Sequence, residues 1–258
     1  MKCPFQSLFS SENKKQKQGR VAEIGWAITD DKASLIWDDP TPYRRDDPKP
    51  ASAKSVQLCP AAIDFDARHF VVPCPIDVTL RLGKDDKGNP VLMNPEGAKS
   101  TIRPKHLGQM AVLINRVEWR HPDRPIVQFI TPYVFMADEP VYINQLPPYL
   151  DYAREALPGA MIAGRFPAHI WPRPLMWAFE WFDTSRDIVL QKGKPWFYVR
   201  FEAEDPSRNV RLVESEITPE VKRYIDSVSG VTNYVNRTYS LFPRAEKRRP
   251  AKLVVPRK

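Results

Sequence analysis

The chain has 258 residues, 42% of them hydrophobic, with 12 Phe, 9 Tyr and 7 Trp. That is enough apolar surface for a packed core, so global disorder is excluded. Twenty-seven prolines against 10 glycines disfavour a helical bundle and favour short strands, edges and ordered loops, and the net charge is +8.

The charge is unevenly laid out. Residues 1–20 carry five basic side chains and Glu12, a balance of +4. Residues 243–258 carry seven basic side chains and Glu246, a balance of +6, which leaves −2 for residues 21–242. Two basic arms on a slightly acidic body are therefore expected. Such arms attract polyanions with salt-dependent affinity, or they are solvated tails. No apolar run reaches the ~18 residues of a membrane span, and the N-terminus lacks the apolar stretch of a secretory signal. A cytoplasmic or phage-associated protein with no membrane contact is the expectation.

Taken in chain order, Val21–Thr29 and Ser34–Trp37 flank "DDKA" and predict a hairpin. Residues 38–52, "DDPTPYRRDDPKPAS", read as a proline-rich loop. Residues 55–83 read as a sheet edge entering the core, with Pro60, Pro73 and Pro75 setting its path. No Cys-x-x-Cys is present, so Cys59 and Cys74 are expected as small buried hydrophobes. Asp64 and Asp66 flank Phe65 and would share one side of a strand, as a hydrated edge or a carboxylate pair. Ile76, Val78, Leu80 and Leu82 alternate with Asp77, Thr79 and Arg81, which predicts a strand with one dry face. "GKDDKGNP" turns it, and Val91–Met93 would pair back.

Met110–Trp119 fits a strand or a short helix, and Ile126–Ala137 a strand interrupted by Pro132. Val141–Asn144 follows as a strand, and "PPYLDYAREALPG" as a short helix. Leu175–Phe182, Asp187–Leu190 and Trp196–Ala203 complete the strands. Thr218 is an N-cap with Pro219 at the first helical position, predicting a helix over 218–229 that Gly230 ends. The sum is a mainly β fold. It has a jelly-roll or sandwich-like (cupin-like) core in a single domain, 21–242, with a few short helices.

"CPA" at Cys59–Ala61, Asp64, "HFV" at His69–Val71, Pro75 and Asp77 resemble the front of a family of β-rich proteins found in marine cyanophages and some bacteria. "QFITPYVF", "GRFPAHI" and the Lys-Gly-x-Pro turn of "KGKPWFYVRF" extend the resemblance over about residues 55–203. It implies a compact β-rich domain and carries no established activity.

Four histidines occur: His69, His106, His121 and His169. His121-Pro122-Asp123 with the later His169 has the ligand order of a two-His-one-carboxylate iron site. Arg173 or Arg186 would then pair with the carboxylate of a 2-oxo acid. The plainer reading of "HPD" among charged residues is a surface turn. Trp177, Phe179 and Trp181 share a strand face, as a dry core or, with Trp171, Phe182 and Arg173, as a stacking surface. No Gly-x-Gly-x-x-Gly, P-loop, Gly-x-Ser-x-Gly or His-Glu-x-x-His is present. Two functions follow. One is a jelly-roll metal oxygenase using Fe(II), a 2-oxo acid and a further small molecule. The other is a non-enzymatic phage or bacterial assembly component whose basic arms bind nucleic acid or neighbouring subunits.

Overall fold

In the computed structural model, residues 21–29, 34–45, 52, 54–151 and 155–257 are described. The strands and helices run in the order β1 (Val21–Ile28), β2 (Thr41–Pro42), α1 (Pro60–Asp66), β3 (His69–Pro73), β4 (Val78–Lys84) and β5 (Pro90–Met93). Next come α2 (Leu107–Met110), β6 (Ala111–Leu113), β7 (Ile126–Ala137), β8 (Val141–Leu146), β9 (Gly159–Met161) and β10 (Gly164–Pro167). The chain continues through β11 (Pro174–Trp181), β12 (Ile188–Leu190), β13 (Pro195–Ala203), β14 (Asn209–Glu214), α3 (Pro219–Val228) and α4 (Phe242–Arg248). The fold is mainly β and sandwich-like, with one sheet curled into a half-barrel and four short α-helices.

The largest sheet has the order β14-β1-β7-β11-β9, with β6 on the first half of β7. A second sheet, β10-β8-β13-β3-β2, packs against it, and β12-β4-β5 forms a third. Where the two larger sheets face each other the filling is aromatic. Phe129 and Trp177 of the first sheet meet Trp196 of the second at centroid distances of 5.6 and 5.9 Å. Phe135 meets Phe201 at 5.6 Å. Trp177, Phe179 and Trp181 are all fully buried, so that strand face is core. β4 shows its predicted dry face, with Val78 and Leu80 buried, and β5 pairs back across the turn.

One pairing departs from a jelly roll, whose sheets are antiparallel: β1 and β14 run parallel, Val21 opposite Asn209 through Trp26 opposite Glu214. The expected hairpin after β1 is absent among the described residues. Ser34–Ile36 forms a 3-10 turn instead, and β1 takes β7 and β14 as neighbours. Pro132 does not interrupt β7. It lies where β1 ends, so its missing N–H removes only a last ladder bond, while its carbonyl accepts from Thr29 N–H (2.9 Å).

Residues 60–66, read as strand, are helix α1, begun by Pro60 in its first turn. Asp64 and Asp66, two apart on a helix, point to different sides. They bind different partners, Arg68 and Arg45. Of the two described cysteines, Cys59 is exposed at the α1 cap and Cys74 is buried. The helix expected in 147–159 is not formed over its described parts; residues 152–154 lie outside the description. Gly159 starts β9 rather than ending a helix. A Cβ there would fall 2.1 Å from the Glu180 carbonyl, so the close approach to β11 needs glycine.

α3 forms as predicted. The Thr218 hydroxyl accepts from Val221 N–H (3.3 Å), and Gly230 at φ +67° ends the run. Val221, Tyr224, Ile225 and Val228 make one stripe at helical spacing. That stripe packs on Ala27, Val134 and Met136, the outer face of the largest sheet. This explains why β1 is buried on both faces beyond Gly25.

The C-terminal stretch 243–258, expected as an arm, is docked over its described residues. Leu253 and Val254 are buried, and their N–H groups donate to the Asp138 carboxylate. Glu216 N–H donates to Val255 O (2.8 Å), and Arg257 N–H to Glu214 O (2.9 Å). Arg249 donates to the carbonyls of His169 and Asp138. Residues 1–20, the other expected arm, lie outside the described residues.

Candidate functional site

His121 and Asp123 lie exposed in a self-contained turn before β7. Asp123 N–H donates to His121 Nδ1 (3.3 Å), and Arg124 N–H to His121 O (3.1 Å). The neighbouring Arg120 reaches Glu180, near the end of β11 (3.6 Å). His169 sits beyond the other end of β7, buried, with Nδ1 3.1 Å from the backbone of Val141. Burial, reinforced by Arg249, holds its pKa below the ordinary histidine value. At about 3.3 Å per residue, the length of β7 alone puts the turn and His169 on the order of 30 Å apart. The three expected ligands are not brought together. Among the described residues, no group of three His, Cys, Asp or Glu is placed to hold a metal ion.

The two expected arginines are separated as well. Arg173, just before β11, lies over the Trp171 ring at 4.9 Å, and burial lowers its pKa. Arg186, past the other end of β11, reaches Glu155 (3.4 Å) and the Ala156 carbonyl (3.0 Å). The length of β11 lies between them.

His69, read only as part of a resemblance, is fully buried and fully engaged. Its Nδ1 lies 2.7 Å from the Phe65 carbonyl, which can only accept, so this nitrogen carries the hydrogen. Nε2, also at 2.7 Å, accepts from Tyr149 Oη. Burial lowers the pKa, and the neutral ring ties the end of α1 to the 147–151 loop.

What the fold does assemble is a basic, aromatic surface over an apolar pocket in the C-terminal layer. α3 ends at Gly230, the chain passes through turns at Val231–Asn233 and Thr238–Leu241, and α4 returns along α3. Between them is a pocket of about 210 Å³, lined by Trp171, Tyr224, Val228, Leu241, Phe242 and Ala245, with Arg244 and Arg248. The polar groups of its floor are committed to backbone. Trp171 Nε1 donates to Val228 O (2.8 Å), Tyr224 Oη to Ile170 O (2.6 Å) and Ser227 Oγ to Tyr224 O (2.7 Å). Burial pushes the Tyr224 phenol up to about 12, so it stays a neutral donor.

Arg244, Arg248 and the Thr238 hydroxyl are the lining polar groups left for a ligand. Arg237, Arg244, Lys247 and Arg248 are exposed, and none is in an ion pair among the described residues. Interleaved with them, Tyr234 is 88% and Tyr239 67% exposed, and Tyr239 sets its edge on Phe242 at 4.9 Å. An apolar pocket whose charged lining groups are both cationic selects an apolar or aromatic group carrying negative charge. The signal is in the sequence, as tyrosines and arginines interleaved over 234–248, a pattern that the expected boundary between the domain and the 243–258 arm divides.

No family model matches the sequence, and no curated protein matches it. Among the described residues no helix is long and apolar enough to cross a membrane.

Proposed function

We propose that this chain is a non-enzymatic binding component, of the assembly kind, whose C-terminal layer holds single-stranded nucleic acid. The observation that carries this reading is the pair of exposed cations Arg244 and Arg248 lining the pocket, with Arg237, Lys247, Tyr234 and Tyr239 exposed along the same 234–248 stretch and none of the four cations in an ion pair among the described residues. Cations track phosphates and aromatic faces stack bases, a combination that tolerates any sequence. The Trp171 indole, the Tyr224 phenol and the Ser227 hydroxyl of the pocket are committed to backbone, so it favours stacking over base selection. The +4 charge of residues 1–20 adds to the same attraction.

Fluorescence anisotropy with a short labelled oligo(dT), titrated at several salt concentrations, tests it. The chain should bind with a negative slope of log K against log salt, at ~0.7 per neutralised phosphate. Arg244→Ala with Arg248→Ala should make that slope shallower by about 1.4. Tyr234→Ala with Tyr239→Ala should weaken binding by roughly 1–3 kcal/mol per stacked base at unchanged slope. Binding absent at low salt, or equal in all three proteins, removes the reading.

A further inference from the structure

A second cavity, of about 960 Å³, opens where β14 stops. β14 pairs with β1 only as far as Glu214, opposite Trp26. The chain then turns away, with Ser215 N–H taking the Trp26 carbonyl (2.8 Å). Ala27 and Ile28 are thus left with β7 on one side only among the described strands, and the space on the other side is the cleft.

Its aromatic wall is Trp26 and Trp37. Trp37 is fixed before any ligand arrives. It stacks on Trp196 at 6.4 Å and 20°, and meets the edge of Tyr133 at 5.8 Å, whose hydroxyl donates to Asp38 O (2.5 Å). Trp26 is 6% exposed, and its indole N–H has no hydrogen-bond partner among the described residues. Among the described residues, the charged groups lining the cleft are Asp39, Glu214, Glu216, Asp226, Lys222 and Arg257. Arg257 binds Glu214 (2.8 Å), and Lys222 lies 3.6 Å from Asp226. Asp39 and Glu216 are left in no ion pair among the described residues, so four carboxylates against two cations leave the lining at −2.

We infer that this cleft binds a small organic cation, an ammonium that also carries a hydroxyl or other hydrogen-bond acceptor. The chemistry follows group by group. Indole faces attract a cation and accept its methyl or methylene surface. The unpaired carboxylates Asp39 and Glu216 supply the opposite charge, and the Trp26 N–H supplies a donor for the acceptor atom. A bare metal ion does not fit, because no three of these carboxylates are placed to share one. A neutral polyol would leave the charge of the lining unanswered. Partial burial, with Glu214 and Asp38 nearby, raises the pKa of Asp39, the direction expected of a carboxylate lacking a counter-ion. This site is separate from the proposed nucleic-acid surface.

Isothermal titration of the full chain with choline, tetramethylammonium and glucose, at constant ionic strength, is the test. Choline should bind more tightly than tetramethylammonium, which lacks the acceptor, and glucose should give no saturable heat. Asp39→Asn with Glu216→Gln should weaken choline by about tenfold or more with the circular dichroism spectrum unchanged. Trp37→Phe, which keeps a ring of weaker quadrupole, should weaken it less. Arg244→Ala with Arg248→Ala should leave choline binding intact. No saturable heat from either ammonium, glucose binding as well as choline, or an unchanged affinity in the double carboxylate variant would each overturn the inference.

Discussion

The two faces of the largest sheet carry similar apolar residues and do different things. The inner face is sealed: Phe129, Trp177, Phe179 and Trp181 pack with Trp196, Phe197 and Phe201 in one buried cluster that holds no charged group. The outer face is covered by α3, α4 and the 249–257 strap, elements that meet the sheet along narrow stripes and fasten by polar contacts. Helices laid on a twisted sheet do not tile it, so a pocket remains between α3 and α4, edged by arginines. Aromatic content alone therefore says nothing about function. What separates core from site is whether charges beside the aromatics are answered.

The sharpest way to separate the faces is to damage the inner one. Trp177→Ala removes a fully buried ring stacked at 5.1 Å on Phe179. Truncations of this kind cost about 3–5 kcal/mol. Urea denaturation should show a loss in that range, while the molecules still folded keep their oligonucleotide affinity. A loss under about 1 kcal/mol would mean that the core is loosely packed and the contrast with the outer layer is false.

The outer layer breaks by a different mechanism. Asp138, in the turn after β7, accepts the N–H groups of both Leu253 and Val254. Asp138→Ala leaves two largely buried donors unanswered, each worth about 1–3 kcal/mol. Hydrogen exchange should rise over residues 249–257 and stay protected in β7 and β11, because few contacts cross from strap to core. If exchange rises throughout, the two faces unfold as one unit.

How much of this was legible depended on how local the cause was. The dry face of β4 and the Thr218-Pro219 start of α3 are dictated by neighbours within four residues, and both were readable. α1 was not, because Pro60 fits an extended path as well as a helical first turn, and seven residues show little periodicity. The missing hairpin after β1 and the continuous β7 depend on strands about a hundred residues away. The docked C-terminus was hidden by its own composition. Seven basic residues read as a tail, and a short apolar run, Leu253–Val255, marks the strap, whose anchor Asp138 is 115 residues upstream of Leu253. "HPD" followed by a distant histidine carried the spacing of a metal site without its convergence, since sequence order does not say which end of β7 each residue occupies.

The smallest expected effect is a pH dependence confined to the polar fastenings. His169 holds the Val141 backbone with Nδ1 and lies beside Arg249, and His69 accepts from Tyr149. Burial lowers both pKa values below 6.5, the ordinary histidine value. The unfolded chain then takes up protons first as pH falls. Both contributions are therefore complete above pH 6.5 and are lost as pH drops from there through the depressed folded values. The slope is at most about 1.4 kcal/mol per pH unit for each ring. His169→Gln keeps a side chain able to hydrogen-bond the Val141 backbone but cannot titrate. It should flatten the acid limb of stability against pH, chiefly in the exchange of residues 249–257. The inner core has no carboxylate or histidine among its buried residues, so on the acid side its exchange should track only the global stability. An acid limb unchanged in His169→Gln would show that this ring does not set it and would remove the histidine as the polar weak point of the outer layer.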